Sequence, residues 1–549
     1  MAAAKALLVA AAAAAAVADA ANPLGGKTPA DYVPGMADAN LHYFDGKFSM
    51  WATHDFSVNN TGFTMKDWWI WSSPDLVEWT KEAVVSPEKS LPWDTQENEC
   101  WATDAAFVGG KYFFYVSAGG GEVGVMSAPS LKGPWTDPLG KPLLSSAFGK
   151  AQNPPTTFRD PCVFQDPDTK ESYIVAGVFT YYITKLKPDM ITLAETPQLV
   201  NFSTHTYGPC GDGKTADQPF LHKNGDTYYL SWGCFYATSK SVYGPYAMQG
   251  AVIDTAKIAP AYQCDGQPGQ CGNKATDAPD AAERRLRASG TESDLARADA
   301  LAQYRGVGAG PTPWFLKEDY TDRHGSFLSH GKQWYYVSND RSHSKDVGHE
   351  GVFRDTVICY IHFRANNTME ACTIDATGVG QYDASSPDSV VEAENFFELR
   401  GPGDKLDLIA EGDDDGDVGF AVGGLRAGSE LHYPNIELPA EAAAAATHSG
   451  AHFLELELTL YLATAAALAP GSSSTVLASS ANGRLLGSVA ITSTGSWTAY
   501  RPLRMTLAVP RSELDADGQL DLVLGVDASM GVQQEGGELA RLKHFTLQY

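Results

Sequence analysis

GGKYFFYVSA, residues 109–118, is a two-glycine turn running straight into a strand of tyrosine, phenylalanine and valine. A tight turn followed by β-branched and aromatic residues is a hairpin signature, because glycine reaches the positive φ angles that short turns demand. The phrase recurs along the first 380 residues: DGKFSMWATHD from Asp45, DTKESYIVAG from Asp168, NGDTYYLSWG from Asn224 and HGKQWYYVSN from His330. With Gly46, Gly110, Lys170, Gly225 and Gly331 as markers, the spacings are 64, 60, 55 and 106 residues. The last is lengthened by an insertion at about 256–311, rich in Gly, Pro, Ala and charge, whose 280–305 part reads as a surface helix. Helical periodicity is scarce between the phrases. Five units of about four strands each predict an all-β fold of radial blades, a five-bladed β-propeller over residues 21–383.

Each unit carries an ionisable residue shortly before its turn. Asp38 lies 8 residues before Gly46, Asp104 lies 6 before Gly110, Asp160 lies 10 before Lys170, Asp217 lies 8 before Gly225 and His324 lies 7 before Gly331. Taken singly, each reads as a turn cap or a solvated loop residue. Rotational repetition instead carries all five to one end of a central channel, as four carboxylates and one imidazole in a single funnel. Clustered carboxylates point to glycoside hydrolysis, in which one group must act as acid and another as base or nucleophile. A third carboxylate nearby can raise the acid's pKa by like-charge repulsion.

The chain has 40 Lys and Arg against 66 Asp and Glu, a formal charge of −26, which argues against nucleic acid or an anionic membrane as partner. Residues 1–20 read as a signal peptide: Lys5, the apolar run Leu7 to Val17, and the small-x-small site Ala18-Asp19-Ala20. That run is shorter than the ~20 residues that span a bilayer, so a secreted, soluble protein is expected. Eight cysteines suit an oxidising compartment. Cys264 with Cys271 is expected to close a small loop and Cys359 with Cys372 to bridge neighbouring strands, whereas Cys100, Cys162, Cys210 and Cys234 cannot be paired from sequence. Glycosylation sequons begin at Asn59, Asn201 and Asn366. Trp68, Trp69 and Trp71 are expected in the core rather than on a sugar platform, and Arg323, His343 and Arg354 as strand or loop charges.

Across about residues 30–383 the sequence resembles glycoside hydrolase family 43, the group of β-xylosidases, α-L-arabinofuranosidases and arabinanases. The likeness rests on GMADANLHYFDGKF, FTMKDWWIWSSPDLVEWT, CWATDAAFVGGKYFFYVSA, FRDPCVFQDPDT, ADQPFLHKNGDTYYLSWG with SVYGPY, and DRHGSFLSHGKQWYY, in that order. The resemblance implies that Asp38 is the general base, although Ala39 stands where the family has Pro. Asp160, in Arg159-Asp160-Pro161, falls on the carboxylate that orients the acid and tunes its pKa. Asp217 falls on the general acid, normally a Glu; its side chain is one methylene shorter. His324 falls on the histidine that in many members helps hold calcium or a similar ion. Trp101 and Asp104 belong to a Trp-Ala-Pro-Asp phrase, here Trp101-Ala102-Thr103-Asp104, expected at the substrate pocket.

Beyond the DASSPD linker the composition changes: no cysteine, much Ala, Leu and Gly, and strands at regular spacing. LELELTLYLA from Leu454 and LDLVLGVDA from Leu520 alternate as half-buried strands do, and predict a β-sandwich over 384–549. VVEAENF, DVGFAV and TGSWTAY resemble family 6 carbohydrate-binding modules. That likeness implies Glu392 and Glu394 at a structural calcium site and Phe420 and Trp497 as an aromatic pair against sugar rings. The usual closing acidic residue is absent from ARLKHFTLQY.

The whole reads as a secreted, monomeric glycosidase that inverts configuration and needs no cofactor for its chemistry, with Ca2+ as a structural ion. Its expected substrate is a plant- or algal-type polysaccharide or oligosaccharide of the xylan or arabinan kind. An exo-β-galactosidase, a retaining mechanism and a catalytically weak carbohydrate-binding protein remain alternatives.

Overall fold

The computed structural model describes residues 35–55, 63–76, 79–96, 98–206, 215–252, 324–330, 333–340, 354–364, 366–370, 372, 379, 390–407, 420–436, 438, 441–442, 452–464, 474–515, 518–528 and 538–549. The expected signal peptide, the 256–311 insertion, the Cys264–Cys271 loop, Cys210, Asn59, Arg323 and His343 lie outside the described residues.

Regular structure is almost all strand. Short α-helices span Pro87–Ser90 and Ser146–Lys150, and residues 441–442 are helical too; no helix among the described residues is long and apolar enough to cross a membrane. The amino-terminal part forms five antiparallel sheets, each a meander of consecutive strands. The first contains β1 (Met36–Phe44), β2 (Lys47–His54), β3 (Trp68–Ser73) and β4 (Thr80–Val85). The second contains β5 (Trp101–Val108), β6 (Lys111–Ala118) and β7 (Glu122–Ala128). The third contains β8 (Cys162–Gln165), β9 (Ser172–Ala176), β10 (Tyr182–Lys185) and β11 (Gln198–Leu199). The fourth contains β12 (Phe220–Asn224), β13 (Thr227–Trp232), β14 (Phe235–Ser239) and β15 (Ala247–Ala251). The fifth contains β16 (Gly325–His330), β17 (Gln333–Asp340) and β18 (Asp355–Tyr360).

The turn phrases do what their chemistry requires. Asp45, Gly46, Gly109, Gly110 and Gly225 all adopt positive φ between paired strands. The first strands of the sheets touch in cyclic order: β1 meets β5 and β16, β5 meets β8, β8 meets β12, and β12 meets β16. Side chains from neighbouring sheets fill the spaces between them. Trp51 on β2 is fully buried, with Phe114 at 5.0 Å and Trp135 edge-on at 5.6 Å, and Trp68 joins the same cluster. Trp69 and Trp71 are buried in the cluster next to it, as expected of core residues. Cys359 and Cys372 form a disulfide.

In the carboxy-terminal part, two antiparallel sheets share one apolar core. Phe453–Ala463 begins with a regular exposed–buried alternation and ends largely buried, sending Leu454, Leu456, Leu458 and Leu460 into that core. It adjoins the fifth sheet, where the Gln333 amide donates to Asn395 Oδ1 at 2.6 Å and the His362 ring stacks on Phe396 at 4.0 Å.

Replacing Trp51 by Ala leaves a large void between two sheets. The substitution is expected to cost about 3–5 kcal/mol, read as a lower urea midpoint at unchanged denaturant slope.

Candidate active site

Two arginines, one histidine and three aspartates meet at one end of the amino-terminal sheets. They line a pocket of about 140 Å³ together with Phe63, Met65, Trp101 and Ala102. Local backbone irregularity aims the acids. The β1–β2 register slips between Ala37 and Asn40, a bulge that lifts Asp38 out of the ladder. Asp38, Asp160 and Gln218 adopt left-handed φ angles of 52°, 54° and 46°. Such angles strain a residue with a side chain and recur where function over-determines the backbone.

Asp38 is 2% exposed and heavily partnered. Its Oδ1 accepts from Arg354 Nη1 at 2.8 Å and Asn339 Nδ2 at 2.8 Å, and lies 2.6 Å from His324 Nδ1. Its amide donates to Asn339 Oδ1 at 2.7 Å. Arg354 is itself buried and grips Asp55 through Nε and Nη2, both at 3.0 Å. His324 Nε2 meets Asp217 Oδ1 at 3.0 Å. One imidazole therefore stands between two carboxylates. Asp160 takes another route: its amide donates to Ser117 Oγ at 2.6 Å, and its Oδ2 accepts from the Gln218 amide at 3.3 Å.

These contacts set the protonation states. Burial alone would raise the Asp38 carboxyl, but the Arg354 guanidinium and then His324 hold it well below the usual range. Burial is likewise the largest influence on Asp217 and raises it, but the charge and hydrogen bond of His324 and the charge of Arg159 together hold it below the ordinary value. His324 is pushed down by burial, yet the two aspartates keep it protonated well above its ordinary value. Asp160 moves the other way. Burial first, and the Asp217 charge second, lift it to about 6 against the pull of Arg159 and His324. The proton expected on Asp217 is thus held more readily by Asp160 and His324. Like-charge repulsion acts here, but its larger effect falls on the more deeply buried partner.

Trp101 lines the pocket, with the Arg159 guanidinium over its ring at 5.0 Å. Asp104 requires a correction. It is wholly buried, gives Oδ1 to His42 at 2.6 Å and to the Ala105 amide at 2.8 Å, and gives Oδ2 to the Val163 amide at 2.6 Å. It ties β5 to β1 and β8 and has no face toward the pocket. Its offset, the shortest of the five, puts it inside the ladder opposite Tyr115. Sequence reasoning missed Asp55, Asn339, Arg159 and the commitment of Arg354 to Asp38. The juxtaposition Arg354-Asp355, echoing Arg159-Asp160, was the available signal.

The residues around His324 do not suit a metal ion. Both ring nitrogens face carboxylates, and the protonated ring offers no lone pair. Among the described residues no group of three or more His, Cys, Asp and Glu side chains is arranged to hold one. Glu392 lies in the short strand Val391–Glu392 that pairs with Ala540–Gln548, and Glu394, just beyond it, is buried near Tyr433. Trp497 lies in a turn with Arg541 over its ring at 5.1 Å. Phe420 opens the strand Phe420–Leu425, and its side chain lies outside what is described.

Two measurements test this picture. Arg354→Ala takes the guanidinium away from two buried carboxylates, Asp55 and Asp38, and is expected to cost about 3–5 kcal/mol of stability, measured by chemical denaturation. Carboxyl NMR should find Asp160 titrating near 6, and markedly lower in Asp217→Asn. Folded Asp160 binds its proton more tightly than the ordinary 3.8, so its contribution to stability falls as pH rises from about 4 to about 6.

Residues 36–267 match the family described as glycosyl hydrolases family 43. An arabinoxylan arabinofuranohydrolase of Bacillus subtilis (strain 168) is 27% identical over 274 residues, 42% of this chain and 52% of that protein. A β-D-galactofuranosidase of Aspergillus niger is 27% identical over 235 residues, 38% of this chain and 63% of that protein. The chain thus spans about half the length of the first of these relatives. Among solved structures, a family 43 arabinoxylan arabinofuranohydrolase from Bacillus subtilis in complex with cellotetraose aligns with a TM-score of 0.46 at 19% identity, covering 96% of this chain and 99% of that one. Asp38, Asp160 and Asp217 fall inside the family match; His324 and Arg354 fall beyond it.

Proposed function

We propose that the chain is a glycoside hydrolase of family 43 that cleaves pentose-containing polysaccharide or its oligosaccharides with inversion, as a β-xylosidase or α-L-arabinofuranosidase. The observation that carries this reading is the convergence of Asp38, Asp160 and Asp217 on one pocket within the stretch that matches the family. The cyclic contacts of the five first strands support a five-bladed propeller as its scaffold. Two sheets around one core likewise support a β-sandwich beyond residue 384.

In this reading Asp38 is the base. Arg354, Asn339 and His324 all approach Oδ1, so Oδ2 is the oxygen available to take a proton from water. The attacking water forms the new bond to the anomeric carbon as the bond to the leaving oxygen breaks. Asp217, ionised at rest, receives the proton that His324 holds 3.0 Å from its Oδ1 and passes it to that oxygen, leaving the imidazole neutral, while Asp160 tunes and orients it. An imidazole directs its two nitrogens to divergent edges, so carboxylates on both stand apart by more than a ring's width. That suits the ~6.5–9.5 Å spacing of inverting pairs, which holds a water, better than the ~5–5.5 Å of retaining ones. The chemistry assigned to these side chains routes nothing through a metal.

Galactose-type substrates form a second reading, favoured by the β-D-galactofuranosidase among the relatives. Aryl xyloside, arabinofuranoside and galactoside substrates tested side by side separate the two, with NMR of the first-released anomer reporting stereochemistry. Asp38→Asn is expected to lower kcat about 10²–10⁴-fold, the range typical of a positioned base, with folding and sugar binding retained. Unchanged turnover removes Asp38 as the base.

A further inference from the structure

The three cations at the pocket differ in how far they are already committed. Arg354 is shared between Asp55 and Asp38. His324 is shared between Asp38 and Asp217. Arg159 has no such partner. Among the described residues its guanidinium donates no hydrogen bond. Its nearest carboxylate oxygen, Asp160 Oδ2, is 4.0 Å from Nε, beyond hydrogen-bond reach, and already accepts from the Gln218 amide. Yet the side chain is only 29% exposed and lines the pocket beside the three aspartates. Its guanidinium carbon lies over the Trp101 ring, 5.0 Å from the centroid, and the indole N–H of Trp101 is fixed on the Phe63 carbonyl at 2.8 Å.

A guanidinium so placed is an unfilled fork. It is a cation that has lost much of its hydration, and it presents up to five donors in one plane beside the Trp101 ring. Neutral hydroxyls can accept from it singly. A planar carboxylate or a sulfate accepts two parallel N–H bonds and neutralises the charge, which makes such pairs the stronger ones. We propose that Arg159 selects an anionic sugar: the ring seated in this pocket carries an oxyanion, as the carboxylate of a uronic acid or as a sulfate ester. The proposal rests on the glycosidase reading, keeps its hydrolytic residues, and puts an acidic ring where that reading puts a neutral pentose. Trp101 acts in it as a positioning residue, holding the fork's plane.

The test compares p-nitrophenyl β-D-xyloside with the matching glucuronide, and p-nitrophenyl β-D-galactoside with its 6-sulfate, on wild type, Arg159→Gln and Arg159→Lys. Each variant is first checked for folding by circular dichroism. One of the two anionic substrates is expected to exceed its neutral counterpart in kcat/KM, and which one does so identifies the oxyanion. Arg159→Gln should shrink that preference about 10- to 100-fold, the range of a hydrogen bond to a charged group. Arg159→Lys, charged but without a fork, should fall between. Equal losses on neutral and anionic substrates, or a wild-type preference for the neutral member of both pairs, overturn the proposal. Calorimetric titration with methyl β-D-glucuronide and methyl β-D-xyloside separates the two readings. A wild-type protein that cleaves nothing yet binds the glucuronide more tightly, with the difference lost in Arg159→Gln, refutes the hydrolase and keeps the anion site. Absence of that binding difference as well refutes both.

Discussion

A buried guanidinium must have its charge answered, and Arg354 finds its answer roughly three hundred residues away in sequence. It sits at the start of β18 in the last amino-terminal sheet and bonds Asp55 and Asp38 in and beside the first. Removing either side strands charge in an apolar interior, which costs far more than the pair gains over well-packed apolar groups. Lesser bonds line the same seam. Ser326 Oγ accepts from the Leu41 amide at 3.1 Å, and the Thr356 hydroxyl donates to the Met36 carbonyl at 2.8 Å. Beside the seam, Gly35 lets the chain entering β1 lie against Asp55, whose amide donates to its carbonyl at 2.9 Å: a Cβ there would stand 2.5 Å from the Asp55 carbonyl oxygen. Because Asp38 belongs to this lock, the seam that joins first and last sheets also orients the carboxylate assigned to activate water. Structure and chemistry share one set of atoms.

Electrostatics in the pocket follow from that arrangement rather than from any single residue. Arg354 and His324 hold Asp38 and Asp217 ionised, while Asp160, deeper and facing the Asp217 charge, is driven toward neutrality. Closely similar carboxyls thus acquire different protonation from burial and neighbours alone. Asp217 has one methylene fewer than a glutamate, and the imidazole against it supplies a nearby reservoir of positive charge.

Much of this was legible in the chain because it is local. Glycine and aspartate at the turns, followed by aromatic strands, predict hairpins wherever they occur, and the repeat then aligns Asp38, Asp160, Asp217 and His324. The offset argument failed at Asp104 for a local reason: nearer its turn than the others, it falls within a paired stretch and is consumed by backbone amides. What stayed hidden is what sequence distance hides. Nothing near Arg354 announces Asp55, and an arginine on a strand reads as a surface charge until its burial is known. Trp69 and Trp71 show the converse, since alternation in a strand sufficed to assign them to the core.

The lock across the seam also orders events during biosynthesis. Chains emerge from the ribosome amino terminus first, and domains generally fold as units in that direction. Asp38 and Asp55 appear early, but their counter-charges arrive only with residues 324 and 354. Until then the opening sheet has two carboxylates that cannot be buried at low cost, so its inner edge stays hydrated and its contact with the last sheet waits for nearly the whole amino-terminal part to be made. Pairings of such separation are slow to form. The opening sheet is therefore secured to the last one late, and a nascent chain halted before residue 354 has yet to receive the guanidinium that answers Asp55.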